Sequence, residues 1–273
     1  MGDAGGRGGA ELPESLSSAG RGRFAGNIAP MAKRVVVMQS NYVPWRGYFD
    51  LFAHADTVVL FDSVQSTKND WRNRNRIKTA NGAQWLTIPI RHSNALRLRE
   101  VEIATRGWHL KHFRTLSQAY ARAPHAAALL PAIEAWFHEA GSCNLLTDAN
   151  RVFLRAACDL LRIDTPLIDV DTVLSHEEHD RLDPSRRLAE ICTRIGASVY
   201  VTAPAARAYL DEAAFARVGV AVQWFDYDGY PDYPQLHGGF DPAVSILDLL
   251  LMTGADARRY AIRDHTPSVA GRY

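Results

Sequence analysis

Two short β-branched segments, separated by one segment of helical length, constrain the fold most strongly. The first, Arg34–Gln39, reads RVVVMQ, and the second, Thr57–Phe61, reads TVVLF. Unbroken apolar segments of this length are typical of parallel strands that are covered on both faces. Because Tyr48–Ala55 between them reads as a short apolar helix, the sequence predicts a βαβ unit.

The alternation of strands and helices continues along the chain. Further strands are predicted at Trp85–Ile90, Pro166–Val170, Ser198–Thr202 and Val220–Phe225. Residues 107–163, approximately, read instead as consecutive amphipathic helices. We therefore predict an α/β protein with a mainly parallel, Rossmann-like sheet, helices on both faces and a helical insertion.

Residues 1–30 differ in composition from the rest of the chain. They contain eight of the 19 glycines and only scattered large apolar residues, which predicts a disordered tail. Met31 stands directly before the first basic residues and the first strand, and we hypothesise that it is the natural start of the protein. Residues 31–273 are long enough to bury a self-supporting core, so we expect them to form a single α/β domain.

Charge and hydropathy argue against several classes of protein. The 31 Lys and Arg residues nearly balance the 30 Asp and Glu residues, so a broad nucleic-acid-binding surface is not expected. No apolar segment approaches the roughly 18–20 residues of a membrane helix, and no secretory signal is visible. The three cysteines form no CxxC pair and no zinc spacing, so no metal site is predicted. These features predict a cytoplasmic protein without a membrane partner, and they assign neither a cofactor nor an oligomeric state.

The loop after the first strand, residues 39–49, reads QSNYVPWRGYF. It lies at the carboxyl end of a parallel strand, where ligands of α/β folds bind. It has neither the GxGxxG nor the GxxxxGK[ST] pattern, and its amides and aromatic rings suit a polar organic ligand. We predict that Gln39 and Tyr42 are catalytic and that Asn41 and Trp45 bind substrate. The alternative is that the aromatic residues only pack the loop onto the sheet.

The segment after the second strand, residues 62–78, alternates asparagine with positive charge. If it is extended, Arg72, Arg74, Arg76 and Lys78 share one face. Such a row of cations favours binding of a phosphate or carboxylate. Asp62 at the start of the segment is the predicted general base. Two alternatives stay open, in which Asp62 and Asp70 pair internally with the arginines or the cations protect a solvated edge strand.

A third polar and aromatic cluster, residues 226–235, follows the last predicted strand and could close the same site. The predicted catalytic residues are Asp62, Gln39 and Tyr42. The predicted substrate-binding residues are Asn41, Trp45, Gln65, Lys68, Trp71, Arg72, Asn73, Arg74, Arg76, Tyr233 and Gln235.

These three clusters together resemble the WbqC-like protein family. The resemblance rests on QSNYVPWRGYFDLF at 39–52, on residues 55–90 and on YPQLHGGFDPAVSILDLL at 233–250. It extends over about residues 31–262 and includes Trp108, Lys111–His112 and Tyr120. The chain departs from the family pattern at Ser63, where a second aspartate is frequent. It also departs at residues 203–206, where a turn with glycine is usual.

The resemblance implies a role among surface-polysaccharide (lipopolysaccharide, O-antigen) or natural-product biosynthetic proteins. It suggests a transferase that moves an acyl or aminoacyl group onto an amino group of a small acceptor, such as a nucleotide-linked sugar. The implied partner is a phosphate-bearing small molecule or a carrier-linked donor. Two alternatives stay open: a non-catalytic module that binds RNA or a carrier, and a nucleotidylyltransferase-like enzyme that lacks the HxGH signature.

Overall fold

A computed structural model describes residues 32–264 of the chain. The predicted tail and the hypothetical start at Met31 lie outside these residues. The strands of the described part are β1 (Arg34–Met38), β2 (Thr57–Leu60), β3 (Arg74–Thr79), β4 (Gly82–Thr87), β5 (Ile90–Arg91), β6 (Glu102–Ile103), β7 (Leu167–Asp169), β8 (Val199–Thr202) and β9 (Ala221–Trp224).

The helices complete the alternation that the sequence predicts. They are α1 (Arg46–Ala53), α2 (Trp108–Ala119), α3 (Ala126–Ser142), α4 (Leu146–Leu161), α5 (His176–Arg181), α6 (Pro184–Ile195), α7 (Glu212–Ala216), α8 (Ile246–Thr253) and α9 (Ala257–Ala261). No helix between residues 32 and 264 combines the length and the apolar character needed to cross a membrane.

Five strands form one parallel sheet in the order β7-β2-β1-β8-β9. Successive residues of β1 face opposite sides, because Val36 belongs to one apolar core and Val35 and Val37 belong to the other. The chain moves from β1 through β2 to β7 in one direction and then crosses back to β8 and β9. Right-handed crossovers in opposite directions place their helices on opposite faces. The predicted α/β fold with helices on both faces is therefore confirmed.

The two faces have cores of different size. The larger core contains apolar side chains of α1, of the long helices α2–α4 and of α8, such as Phe49, Phe137, Phe153 and Leu250. The smaller core contains side chains of α6 and α7, such as Ile191 and Phe215. The predicted helical insertion corresponds to α2–α4, which lie in the long connection from β2 to β7.

One predicted strand lies outside the central sheet. The segment predicted at Trp85–Ile90 begins instead at Gly82 and pairs antiparallel with β3, with Arg76 opposite Trp85. The reason is local, because Ala80 and Asn81 form a two-residue turn before Gly82, whose φ is +95°. Short turns with Asn-Gly connect antiparallel strands, whereas a parallel neighbour needs a much longer crossover.

Candidate functional site

The carboxyl ends of β1 and β8 mark the place where the chain reverses its direction across the sheet. The two strands are neighbours, but the connections that leave them pass to opposite faces. Ligands of open α/β sheets bind in the crevice that such a reversal creates. Two of the cavities in the described structure receive residues from the loop that follows β1.

The first cavity, which we call the aromatic cleft, has a volume of about 330 Å³. The loop after β1, the turn before β3, β3 itself and the segment before α8 all contribute to it. Its lining residues are Asn41, Pro44, Trp45, Trp71, Asn75, Pro242 and Ala243. Residues 39–49 and 62–78, which the sequence predicts to share a site, therefore face one cavity.

The loop that forms one wall of the cleft is held in a strained conformation. Val43 has a φ of +36°, which is rare for a β-branched residue. The Asn75 side-chain amide donates hydrogen bonds to the carbonyl oxygens of Tyr42 (3.2 Å) and Val43 (3.0 Å). The Tyr42 N–H donates to the Trp71 carbonyl at 3.0 Å. Strain that is maintained by specific partners is characteristic of functional loops.

Two exposed tryptophans stand beside the cleft. Trp71 is 46% exposed and Trp85 is 42% exposed, and their ring centres are 5.5 Å apart. The Arg74 guanidinium lies 4.3 Å from the centre of the Trp85 ring. Within residues 32–264, the Arg74 side chain makes no hydrogen bond and no ion pair. Aromatic faces beside an available guanidinium suit a flat, anionic ligand.

The other cations of the predicted row are already engaged, which corrects the expectation of four open charges. Arg72 lies in the turn before β3, donates to the Asp70 carboxylate at 2.9 Å and donates to the Gln39 side-chain oxygen at 3.1 Å. The alternative of internal pairing therefore describes Arg72, through Asp70 and not through Asp62. Arg76 shares a face with Arg74, donates to the Ala243 carbonyl at 3.1 Å and lies 3.9 Å from the Asp241 carboxylate.

Lys78, the last cation of the row, is buried within a polar network. Its ammonium donates to the Gln235 side chain at 2.9 Å. Gln235 and the Tyr233 hydroxyl both donate to Asp248, at 2.8 and 2.7 Å. Tyr120 completes the network by donating to Asp248 at 2.7 Å. Burial raises the pKa of Asp248. Tyr233 and Gln235, predicted to bind substrate, thus belong to this buried network.

The segment before α8 also contributes to the cleft. Helix α8 begins at Ile246, where the Ser245 side chain accepts the Leu247 N–H. The segment from Asp241 to Ser245 therefore remains a loop. That loop contributes Pro242 and Ala243 to the cleft.

The second cavity, which we call the switch-point crevice, has a volume of about 400 Å³. It opens where β1 and β8 end and where α6 begins. Its lining includes Met38, Gln39, Phe61, Pro184, Arg187, Thr202, Ala203, Ala206 and Tyr209. The turn that departs from the family pattern, residues 203–206, lies here.

Sequence reasoning missed Arg187, Thr202 and Tyr209 of the crevice. The available signal was position, because Thr202 ends β8 and Arg187 is in the first turn of the helix that precedes it. Both positions fall at the carboxyl edge of a parallel sheet. The Arg187 guanidinium donates to the Leu182 carbonyl at 2.8 Å, and burial lowers its pKa.

One hydrogen bond links the walls of the two cavities. Gln39 lines the crevice, and its partner Arg72 directly follows Trp71 of the cleft. Asn41, two residues after Gln39, faces the cleft with a side-chain amide that bonds to no described residue. This junction presents a guanidinium and two side-chain amides, which are the kinds of donor that stabilise a developing oxyanion.

Asp62, the predicted general base, lines neither cavity. It is 2% exposed, its carboxylate accepts the Ser40 N–H at 2.8 Å, and Arg151 lies 3.5 Å away. Arg151 also pairs with Asp169 at the end of β7. Burial raises the pKa of Asp62. These contacts hold the beginning of the loop after β1 to the end of β2.

Tyr42 is fully buried behind the cleft. Its hydroxyl is hydrogen-bonded to Nδ1 of His112 at 2.9 Å, and its ring packs on Trp108 and Phe153. Burial raises the pKa of Tyr42 and lowers the pKa of His112 to about 4. The alternative that aromatic side chains pack the loop onto the sheet describes Tyr42 and Tyr48, whereas Trp45 lines the cleft.

The remaining predicted residues are spread around the edge. Gln65 donates to the Asn94 carbonyl at 2.6 Å, and Lys68 is exposed. Asn73 is buried and donates to the Ile88 carbonyl at 3.1 Å. Within the described ranges, no group of three or more His, Cys, Asp or Glu side chains could hold a metal ion.

Two comparisons with known proteins each match most of the chain. The model of the WbqC-like protein family matches residues 39–260. A protein of Mycobacterium tuberculosis (strain ATCC 25618 / H37Rv), named uncharacterized protein Rv1507c, is 44% identical over 231 residues. That alignment covers 84% of this chain and 97% of the relative. No solved structure matches.

Proposed function

Because this chain belongs to the WbqC-like protein family, we propose that it is a cytoplasmic transferase of surface-polysaccharide or natural-product biosynthesis. It moves an acyl or aminoacyl group from a phosphate-bearing or carrier-linked donor onto the amino group of a small acceptor. The observation that supports this proposal is the Gln39–Arg72 hydrogen bond, which links a residue of the crevice wall to the chain neighbour of Trp71 in the cleft wall. A transfer reaction needs two substrates side by side with their reacting atoms in contact.

The two cavities differ in the ligand that each suits. The aromatic cleft has apolar and aromatic walls, with Arg74 and Arg76 beside it, so it suits an organic donor with a phosphate. The switch-point crevice presents Gln39, Arg187 and Thr202, so it suits the polar acceptor. In this arrangement the donor carbonyl lies at the junction between them.

The chemistry at the junction is nucleophilic acyl transfer. The amine nitrogen forms a bond to the donor carbonyl carbon, and the bond from that carbon to the leaving oxygen or sulfur breaks. The leaving atom takes the electron pair and the proton that the amine releases. Arg72 donates to the carbonyl oxygen while it carries negative charge. Gln39 orients Arg72, and Asp62 and Tyr42 position the loop that carries Gln39 and Asn41.

The test has two stages. Native mass spectrometry of gently purified protein identifies what it binds, and we expect a phosphate-bearing molecule. The identified donor is then incubated with the protein and an amine acceptor, and the product is expected to gain the mass of the transferred group. Arg72→Met is expected to lower kcat by about 10²–10³-fold, the usual effect of losing one oxyanion donor.

A matched variant controls for the loss of a positive charge. Arg114 is exposed on α2, outside both cavities, and Arg114→Met should leave kcat unchanged. The proposal is wrong if Arg72→Met retains the full rate, or if neither an acyl nor an aminoacyl product forms from any bound donor.

The exposed Trp71–Trp85 pair also favours a second candidate, a non-catalytic module that binds RNA or a carrier protein. Stacked bases and neutralised phosphates would then supply the affinity. Such binding weakens steeply as salt rises, whereas binding in an enclosed cleft depends less on salt. Titration at two ionic strengths separates the two candidates.

A further inference from the structure

The residues around the aromatic cleft combine a flat apolar surface, an unused amide and an unused guanidinium. From this combination we infer that the cleft is a binding site for a single purine nucleoside phosphate. The inference rests on the proposed function in one respect: the nucleotide would be the activated part of the donor. The site itself can be tested without any transfer reaction.

The aromatic surface supplies the stacking face. Trp71 lines the cleft and keeps almost half of its surface exposed, although the cleft is otherwise walled by Pro44, Trp45 and Pro242. An aromatic side chain that stacks on a nucleobase contributes about 1–3 kcal/mol. The cleft volume of about 330 Å³ falls within the roughly 300–1,000 Å³ of small-molecule sites.

Asn41 supplies the polar contact for the edge of the base. Its side chain lines the cleft, and within the described part of the chain its amide has no hydrogen-bond partner. A side-chain amide can donate and accept at once, which matches the N6 and N7 edge of adenine. An apolar acyl chain would leave this amide unused, so the base is the better occupant.

Arg74 supplies the anion contact. It lies over Trp85, whose ring is 5.5 Å from that of Trp71, so its guanidinium is beside the stacking face. Arg72 and Arg76 both have acceptors within the protein, whereas the Arg74 side chain has none among residues 32–264. Charge-assisted bonds to phosphate are about twice as strong as neutral hydrogen bonds.

The number of available cations decides between one nucleotide and a nucleic-acid strand. Binding of a strand engages several phosphates and needs a row of open Lys and Arg residues. Here the charge of Arg72 is paired with Asp70, Lys78 is buried and bonded to Gln235, and Arg76 is partly engaged. One open guanidinium fits the phosphate of one nucleotide.

Isothermal titration of the full chain with ADP, adenosine and inorganic pyrophosphate tests the inference. We expect ADP to bind at least about tenfold more tightly than either fragment, because only ADP engages both Trp71 and Arg74. Arg74→Gln should weaken ADP binding about tenfold, the effect of losing one charge-assisted bond, and should leave adenosine binding unchanged. Trp71→Ala should weaken both ADP and adenosine.

Controls and a milder variant keep the outcome decisive. Arg114→Gln and Leu110→Ala remove an exposed charge and an exposed apolar side chain of α2 and should not change ADP affinity. If Arg74→Gln does not fold, Arg74→Lys retains the charge and should weaken ADP binding by a smaller factor.

The inference is overturned if ADP does not bind, if pyrophosphate binds as tightly as ADP, or if Arg74→Gln changes nothing. It is also overturned if a ten-nucleotide single-stranded RNA binds far more tightly than ADP and dissociates steeply with salt. ADP binding without any transfer activity would support the nucleotide site and refute the transferase. Transfer from a donor without a nucleotide would support the transferase and refute the nucleotide site.

Discussion

Two substitutions of Asp62 distinguish its hydrogen bond from its charge. The Asp62 carboxylate is buried and accepts the N–H of Ser40, a residue with no exposed surface. Asp62→Ala removes this acceptor and leaves the buried Ser40 N–H without a hydrogen-bond partner, which costs about 1–3 kcal/mol. It also leaves a small cavity and frees one side of Arg151, although Asp169 still pairs with that arginine.

We therefore expect Asp62→Ala to lower the free energy of unfolding by about 2–4 kcal/mol. Asp62→Asn keeps an oxygen that can accept the Ser40 N–H, so it should lower the free energy of unfolding by less than about 1 kcal/mol. Urea denaturation followed by circular dichroism measures both. In a thermal scan, Asp62→Ala should lower Tm by about 4–16 °C, given roughly 2–4 °C per kcal/mol for a domain of this size.

The pH dependence gives a second readout. Burial raises the pKa of Asp62, so between the ordinary carboxyl value of about 3.9 and the folded value the native state binds more protons than the unfolded state. The stability that this proton uptake supplies is complete below the unfolded pKa and is lost as pH rises through the folded pKa. Asp62→Asn should remove this decline. This account of Asp62 would be refuted if Asp62→Ala and Asp62→Asn lowered the free energy of unfolding equally, or if neither lowered it.

Three further predictions concern the packing around the site. Tyr42→Phe should lower the free energy of unfolding by about 1–3 kcal/mol in urea, because it leaves buried Nδ1 of His112 without its partner at 2.9 Å. Because burial lowers the pKa of His112 to about 4, stability should fall as pH decreases from about 6.5 towards 4, and His112→Gln should flatten that slope. Gly254→Ala should lower Tm by several degrees, since φ is +55° and an added Cβ would meet the His125 ring at 2.4 Å. Gly239→Ala, where a Cβ would meet nothing within 4 Å, should leave Tm unchanged.

The parallel sheet could be predicted because its signal is local. Val35–Val37 and Val58–Leu60 are continuous apolar segments, and such segments need cover on both faces. The location of the site could be predicted from the same signal, because the loops that follow parallel strands lie at one edge of the sheet. The hairpin at residues 74–87 also has a local signal, Asn81-Gly82, which lies outside the composition of the strands themselves.

The partners of the charged residues could not be predicted in the same way. Asp62 follows a strand like many accessible site carboxylates, but Arg151 of α4, 89 residues later, covers it. The two-residue spacing of Arg72 and Arg74 predicts that both lie on one face of a strand. Arg72 instead lies in the turn before β3, where its guanidinium contacts Asp70 and Gln39. The Asp62–Arg151 and Arg72–Gln39 contacts depend on how distant elements pack, which neither composition nor periodicity encodes. The Arg72–Asp70 pair joins residues two positions apart, and the sequence offered it as an alternative.

The central claim is that substrate binds at the carboxyl edge of the sheet, across the junction of the aromatic cleft and the switch-point crevice. A crystal structure of the protein with its co-purified or titrated ligand tests this most directly. We predict ligand density against Trp71 and Asn41 in the cleft, with the reactive end of the ligand within hydrogen-bond distance of Arg72. Density at the opposite edge of the sheet, or in a cavity that contains neither Gln39 nor Trp71, would contradict the account.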